Sequence, residues 1–304
     1  MEARRQERKK TRQGVSLADN LVTPGLHTRY QQAALRILAF WRESQSRPQT
    51  WDDMDLATAQ WLEHAFAEGH PKGYASDGLA ALQHFLPEVS GKLRHSWRLL
   101  RSWQKVEPPI RVLPLSPVMV LAISGACARL GYVDAAAAFL ISFDTFLRPG
   151  ELYKLKKKHV TWARGSAVLS LGKTKSGLRK NAAEMVVCES AIANLWLARA
   201  LATKHDHDLL WDAKPEKLRK LFFGVLEHLG IPGHFSMYSF RRGGATWHFL
   251  SSQSLEHTLL RGRWASSSTA RIYLQDAAAT VAHLQLTQDQ RSYMSLLKQF
   301  LAAP

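Results

Sequence analysis

The sequence has little cysteine and no long apolar run. Cys127 and Cys188 are its only cysteines, too few for the disulfide framework of a small secreted domain, so we expect a reducing compartment. No apolar run approaches the roughly 18 residues that a membrane span needs, and the first residues lack the apolar stretch of a secretory signal. We therefore expect an intracellular protein without membrane contact, nuclear in a eukaryotic host and otherwise in the cytoplasm or nucleoid.

Acidic residues are scarce relative to basic ones. The chain has 25 Asp and Glu against 41 Lys and Arg, which gives a formal net charge of +16. A surplus of this size favours a polyanionic partner, with nucleic acid ahead of an anionic membrane. Hydrophobic residues, at 46% of the 304 residues, suffice for buried cores, and this length suits one large domain or two ordinary ones.

The motifs of several enzyme classes are also missing. The sequence contains no P-loop for phosphate and no glycine pattern for a dinucleotide. Neither cysteine lies in a cysteine–histidine motif. The best metal candidate, "HDH" at 205–207, is short and isolated, so we expect neither a metal site nor a cofactor.

Basic residues and prolines divide the chain into four regions. Residues 1–20 hold six basic residues between Arg4 and Arg12 without apolar periodicity, which predicts a flexible arm, either simply solvated or bound to phosphates. Residues 21–107 have helical periodicity. Four prolines within 108–117 interrupt regular structure and mark a linker. Residues 118–304 then form the second domain.

Two apolar helix stripes characterise the first domain. One comprises Ala34, Ile37, Leu38 and Trp41, and the other comprises Leu93, Trp97 and Leu100. Arginines on neighbouring faces flank the second stripe and predict a basic side of that helix: Arg94, Arg98 and Arg101. "TWDD" from residue 50 has the spacing of a capping box, which predicts that a helix starts there.

The second domain is predicted to be helical with one small sheet. Apolar helices are expected over about 117–130 and 133–146. The stretch 159–189 alternates apolar and polar residues around a basic turn at 173–180, which favours a small antiparallel sheet. A final amphipathic helix is expected from the apolar residues Leu296, Leu297, Phe300 and Leu301. The predicted fold class is therefore mainly α with a small antiparallel β-sheet (α+β).

Four motifs between 148 and 273 combine basic and aromatic residues. Arg148 precedes Pro149 in "FLRPGEL", and proline favours the first helical position, so Arg148 is expected at a helix N-terminus, where anions bind. The others are "GKTKSG" from residue 172, "YSFRRGG" from residue 238 and "RGRWASSSTARIY" from residue 261. Arginines that neutralise phosphate oxygens, a lysine that protonates a leaving oxygen and a tyrosine nucleophile together favour phosphoryl chemistry on DNA.

In their order and spacing these motifs resemble those of the tyrosine recombinases, the phage-integrase-like site-specific recombinases. The resemblance implies that Arg148 and Arg241 are the two arginines and that Glu151 is the structural companion of the first. Lys175 would be the hairpin lysine, with Lys173 as the alternative. It also implies that Trp264 occupies the position of the family's histidine or tryptophan and that Tyr273 is the nucleophile.

The "YSFR" motif departs from the family's usual box, which has histidine where this chain has Tyr238. A phenol donates a hydrogen bond to a phosphate oxygen but adds no positive charge. Tyrosine at this position is similar to some eukaryotic mobile-element members of the family, so we interpret Tyr238 as a variant catalytic residue. Gly243 and Gly244 are expected to let the helix of this motif pack closely on a neighbour.

The resemblance implies a helical DNA-clamp domain over 21–107 and a catalytic domain over 118–304. The implied reaction cuts and rejoins double-stranded DNA through a 3′-phosphotyrosine, without a cofactor, in a tetramer joined through the C-terminal helix. Contacts to the DNA backbone are expected from Arg94, Arg98, Arg101, Lys180 and Arg242. Two alternatives stay open: a DNA-binding protein that has lost the chemistry, and a type IB topoisomerase. Taken singly, Trp264 also suits a core position, and Tyr273 suits an ordinary amphipathic helix.

Overall fold

The computed structural model describes residues 2–14, 16–17, 21–172, 183–271, 273–274 and 286–302. The chain divides into two compact units, Met1–Ile110 and Arg111–Pro304. The division falls within the proline-rich segment 108–117. Each unit has its own apolar core.

The first unit is helical in the residues described. Its helices are α1 (Glu2–Arg12), α2 (Pro24–Glu43), α3 (Trp51–Ala67), α4 (Lys72–Phe85) and α5 (Arg94–Val106), with a 3₁₀ turn at Pro87–Val89. The predicted capping box at the start of α3 is confirmed, because the Asp53 amide donates to the Thr50 hydroxyl at 3.1 Å and the Thr50 amide donates to the Asp53 carboxylate at 3.0 Å.

Helix α1 corrects the expectation that the first residues lack regular structure. The Arg8 guanidinium donates to the Arg4 carbonyl one turn earlier, at 3.0 Å. An acidic first turn and a basic last turn suit the dipole of a helix. Charge placement therefore supports a helix here although apolar periodicity is missing.

The two predicted apolar stripes contribute to the core of the first unit. In α2 the buried positions are Ala33, Ile37 and Trp41, whereas Leu38 is exposed, so the predicted stripe is displaced by part of a turn. In α5, Leu100 is buried and Trp97 is partly buried. The opposite side of α5 is basic and exposed, as expected, and comprises Arg94, Arg98, Arg101 and Lys105.

The second unit combines helices with a three-stranded sheet. Its elements are α6 (Pro117–Arg129), α7 (Val133–Asp144), α8 (Pro149–Leu152), β1 (Val160–Ala163), β2 (Ser166–Gly172), β3 (Glu184–Cys188), α9 (Ala191–Leu201), α10 (Pro215–His228), α11 (Tyr238–Ser252), α12 (Leu255–Gly262), α13 (Ser267–Arg271) and α14 (Gln288–Ala302). The sheet is antiparallel in the order β1-β2-β3. This architecture confirms the predicted fold class. The predicted basic turn at 173–180 lies outside the described residues.

Helix α11 packs closely on α7, and the residues from Ser239 to Thr246 are buried. Phe240 on α11 stacks on Phe139 of α7, with the ring centroids 4.9 Å apart. A Cβ atom at Gly243 would overlap the Leu115 carbonyl, and one at Gly244 would overlap the Phe143 carbonyl. The expectation that these glycines allow close packing is therefore confirmed.

The terminal helix α14 packs on α6 of its own unit. The backbone of Leu297 lies against Gly125, where a Cβ atom would not fit. The indole of Trp196 donates to the Leu301 carbonyl at 3.0 Å. Leu297 and Leu301 are buried, but Leu296 and Phe300 are exposed, so the four residues of the predicted stripe do not share one environment.

Across the described residues, no helix combines the length and the apolar character needed to cross a membrane. The same part of the chain contains no cluster of three or more His, Cys, Asp or Glu side chains suited to a metal ion.

Candidate active site

Arg148 caps helix α8, where the sequence predicted a helix start. Its amide donates to the Glu151 carboxylate at 2.8 Å, and its guanidinium bonds the other carboxylate oxygen at 2.6 Å. Pro149 occupies the first helical position. Glu151 therefore fixes both the backbone and the side chain of Arg148.

Arg241, in the first turn of α11, is fully buried. Its two terminal nitrogens donate to the carbonyls of Phe146 and Gly262, the latter at 2.6 Å. Its Nε is buried and has no partner among the described residues. Arg241 thus joins the segment before α8 to the end of α12.

Trp264 and Tyr273 cover the Arg241 guanidinium. The ring centroids lie 4.7 Å and 5.3 Å from its central carbon, and the two rings are 5.0 Å apart. The Tyr273 carbonyl accepts a bond of 3.2 Å from the Thr246 hydroxyl of α11. Cation–π contact therefore connects the predicted nucleophile with the second predicted arginine.

The guanidinium groups of Arg148, Arg241 and Arg263 place several positive charges close together at this buried site. Burial lowers the pKa of Arg241 from its usual value, and repulsion from Arg148 and Arg263 lowers it further, with partial compensation from Glu151. Burial alone would raise the pKa of Glu151, but Arg263 and Arg148 outweigh burial and hold it below its usual value. An ionised Glu151 thus stabilises a cluster of guanidinium groups.

Sequence reasoning missed Arg263. It is buried, and its guanidinium bonds Glu151 at 2.9 Å and the Phe146 carbonyl at 3.1 Å. The only signal in the sequence was its position directly before Trp264. Its partners are 79 to 117 residues away along the chain, so no local pattern indicates them.

The remaining predicted site residues fall into three environments. Tyr238 begins α11 and is 46% exposed, so its side chain is not part of the core. Arg242 is buried and donates to the Val112 carbonyl at 2.6 Å, so protein rather than solvent surrounds a residue predicted to contact DNA. Lys173, Lys175 and Lys180 lie outside the described residues.

The two cysteines are free and buried. Burial raises the pKa of Cys127 to about 12 and raises the pKa of Cys188 as well. A thiolate at either position is therefore strongly disfavoured near neutral pH, which excludes them as nucleophiles in this state.

No family model and no curated protein matches the sequence. Solved structures do match. The Tn1549 transposon integrase in complex with transposon right-end DNA has a TM-score of 0.62 at 10% identity, over 92% of this chain and 98% of that one. A lambda integrase dimer bound to a COC′ core site has 0.59 at 14%, over 86% and 74% of the two chains. XerH recombinase bound to its difH substrate has 0.58 at 15%, over 88% and 78%.

The chain has the fold of these recombinases and integrases. The recombinase fold explains why motifs separated by more than a hundred residues meet in one place. Arg148, Arg241, Trp264 and Tyr273 lie close together within the second unit, and their catalytic roles stay a prediction.

Proposed function

We propose that this protein is a site-specific DNA recombinase or integrase that acts through a 3′-phosphotyrosine at Tyr273. The observation that carries the proposal is the contact of Tyr273 with both Trp264 and Arg241, at 5.0 Å between rings and 5.3 Å from ring to guanidinium. Recombinases and integrases of the same fold, solved in complex with DNA, support it. Tyr238 at the histidine position suggests an origin in a eukaryotic mobile element.

In the proposed reaction the Tyr273 oxygen attacks the scissile phosphorus, and the bond to the 5′ oxygen breaks. Arg148 and Arg241 stabilise the charge on the non-bridging oxygens. Lys175, or Lys173 as the alternative, protonates the leaving oxygen. A second 5′-hydroxyl then attacks the phosphotyrosine, so one ester replaces another and no nucleotide hydrolysis is required.

The charge distribution supports an anionic substrate. The guanidinium groups of Arg148 and Arg263 repel that of Arg241, and Glu151 interacts with all three. A phosphodiester would relieve this repulsion at a position prepared before it binds. Because the ring of Tyr273 lies over Arg241, we infer that DNA binding moves the ring aside, which brings both groups to the same phosphate.

Double-stranded DNA is the proposed partner. In the first unit the basic face of α5, with Arg94, Arg98 and Arg101, presents exposed charge suited to a phosphate backbone. Lys180 is proposed as a further contact to the DNA backbone. Arg242 is buried, so it would need to be uncovered to act in the same way. Assembly into a tetramer through α14 remains part of the proposal.

The test is trapping of a covalent adduct on nicked duplexes that carry candidate sites. We expect the wild type to form an adduct that survives denaturation and Tyr273→Phe to bind the same DNA without forming one. Tyr293, which bonds His228 at 3.0 Å, provides the matched control, and Tyr293→Phe should retain the adduct. An adduct from Tyr273→Phe would exclude Tyr273 as the nucleophile.

A second candidate function is DNA binding without strand cleavage. Full burial of Arg241, with both terminal nitrogens bonded to backbone carbonyls, favours it, because such a side chain serves structure without reaching a phosphate. Specific DNA binding by a wild type that forms no adduct on any nicked site would support this candidate.

A further inference from the structure

Arg263 has a backbone conformation that its residue type disfavours. Its φ angle is +58°, in the left-handed region, and Phe146 nearby has a φ angle of +51°. Side chains other than glycine adopt this conformation only where surrounding contacts enforce it. Arg263 directly follows Gly262 and precedes Trp264, so its side chain leaves the loop close to the candidate site.

The guanidinium of Arg263 joins three segments of the second unit. One terminal nitrogen bonds Glu151 of α8 at 2.9 Å and the Phe146 carbonyl at 3.1 Å. The other reaches Glu184, the first residue of β3, at 3.4 Å. These bonds tie the start of α8 and the edge of the sheet to the loop that carries Trp264.

Two of the acceptors that Arg263 bonds, the Glu151 carboxylate and the Phe146 carbonyl, also bond the candidate catalytic arginines. Glu151 also holds the guanidinium of Arg148, at 2.6 Å. The Phe146 carbonyl also accepts from Arg241. Moving Arg263 would therefore disturb Arg148 and Arg241 together, although Arg263 itself is proposed to touch no phosphate.

We propose that Arg263 is a positioning residue. It holds Glu151 and the Phe146 carbonyl so that Arg148 and Arg241 bind a single phosphate. Through Glu184 it also anchors these two acceptors to β3. This inference rests on the proposed function. A planar fork is required, because one ammonium group does not reach a carboxylate on α8, a carbonyl and a carboxylate on β3 in fixed directions.

Arg261, on the other side of Gly262, is a natural control. It bonds Asp144 at 3.1 Å and Glu189 at 2.7 Å, so it too bridges the α7–α8 region and the end of β3. Its ion pairs involve neither Glu151 nor the two candidate arginines. A purely structural role for this loop predicts similar behaviour of variants at Arg261 and Arg263.

The positioning role predicts a change in the pH profile. Glu151 faces Arg148, Arg241 and Arg263, and Arg263 contributes most to keeping its pKa low. In Arg263→Gln, less positive charge opposes the effect of burial, so the pKa of Glu151 rises. Protonation of Glu151 then releases Arg148, so the cleavage rate of this variant should fall as the pH decreases.

The experiment measures the rate of adduct formation between about pH 8 and about pH 5. At neutral pH, Arg263→Gln should cleave on the order of 10²-fold more slowly, with a further loss on the acid side that the wild type lacks. Arg263→Lys should remain slow but lose the acid-side decline, because the charge is restored. Arg261→Gln should keep the wild-type profile. Parallel profiles for Arg261→Gln and Arg263→Gln would overturn the proposal.

Thermal unfolding over the same pH range gives a second readout, which needs no catalysis. The stability difference between Arg263→Gln and the wild type should shrink as the pH falls, because protonation removes the buried negative charge of Glu151 that Arg263 no longer helps to balance. Adding Glu151→Gln should abolish that trend. A pH-independent difference would overturn the proposal even if the wild type proved inactive, whereas an inactive wild type alone counts against the proposed function.

Discussion

Among single residues, Tyr238 is the one at which this site departs from the recombinase pattern that the sequence resembles. It is 46% exposed, whereas Phe240 two residues later is fully buried. The side chain of Tyr238 is therefore exposed at the surface and is not part of the core. A role in the chemistry is consistent with this exposure.

We expect Tyr238→Phe to slow cleavage by up to about 10²-fold, because loss of one donor to a transition-state oxygen has effects of this order. DNA affinity and melting temperature should hardly change. Tyr238→His should be tolerated, since an imidazolium adds charge. Single-turnover cleavage rates and melting curves of both variants provide the measurement, and an unchanged rate in Tyr238→Phe would remove Tyr238 from the mechanism.

Single residues also show how far the sequence could predict the site. The spacing of Arg148, Arg241 and Tyr273 was informative because each lies in a local motif. Arg263 was not predictable, since its ion pairs depend on a left-handed backbone and on carboxylates 79 and 112 residues away. The burial of Arg241 likewise depends on two carbonyls from distant segments.

At the scale of single elements, the position of α11 depends on its two glycines. Gly244 lies so close to the Phe143 carbonyl that an added Cβ atom would overlap it. Gly224 in α10 has nothing within 4 Å of the same position. The two glycines therefore differ in packing although both lie in helices.

Gly244→Ala should lower the free energy of unfolding by about 1–3 kcal/mol, as overpacking does. Gly224→Ala should raise it by up to about 1 kcal/mol, because alanine restricts the unfolded chain. Labelling of Cys127 and Cys188, both buried in the second unit, reports unfolding of that unit during denaturant titration. Equal effects of the two substitutions would contradict the close packing of α11.

Helix α5 carries the basic face of the first unit. Arg98 is exposed, whereas Arg29 of α2 is already paired with Asp77 at 2.5 Å. Arg98→Gln should reduce the slope of log affinity against log salt by about 0.9, the value for one phosphate contact. Arg29→Gln should leave the slope unchanged. Fluorescence anisotropy over a salt series measures the slope of each variant. An Arg98→Gln slope equal to that of the wild type would remove α5 from the DNA interface.

The position of a helix was predictable where its local sequence signal is strong. Which side of the helix is buried was less predictable. The capping residues Thr50 and Asp53 fixed the start of α3. The buried face of α2 was predicted about Ala34 and Leu38, but the structure buries Ala33 and exposes Leu38. Packing against neighbouring helices sets the rotation of α2 about its own axis. The sequence of one helix does not specify that packing.

For the molecule as a whole, the proposed assembly would use the exposed side of α14. Leu296 and Phe300 lie one turn apart and are exposed, while Leu297 and Leu301 hold the helix on its own unit. Replacing both exposed residues by serine should leave the melting temperature nearly unchanged but reduce pairing of two DNA sites. Replacing Leu297 by serine should instead destabilise the unit. Normal pairing of sites in the Leu296→Ser/Phe300→Ser protein would exclude this face as the contact between subunits.

In the proposed reaction, Tyr273 joins this chain covalently to the 3′ phosphate of cleaved DNA. The most direct measurement is mass spectrometry of the digested adduct, combined with exonuclease treatment of the DNA that remains attached. We expect a phosphonucleotide on the peptide that contains Tyr273 and a free 5′-hydroxyl on the released strand. Attachment at another residue, or through a 5′ phosphate, would contradict it.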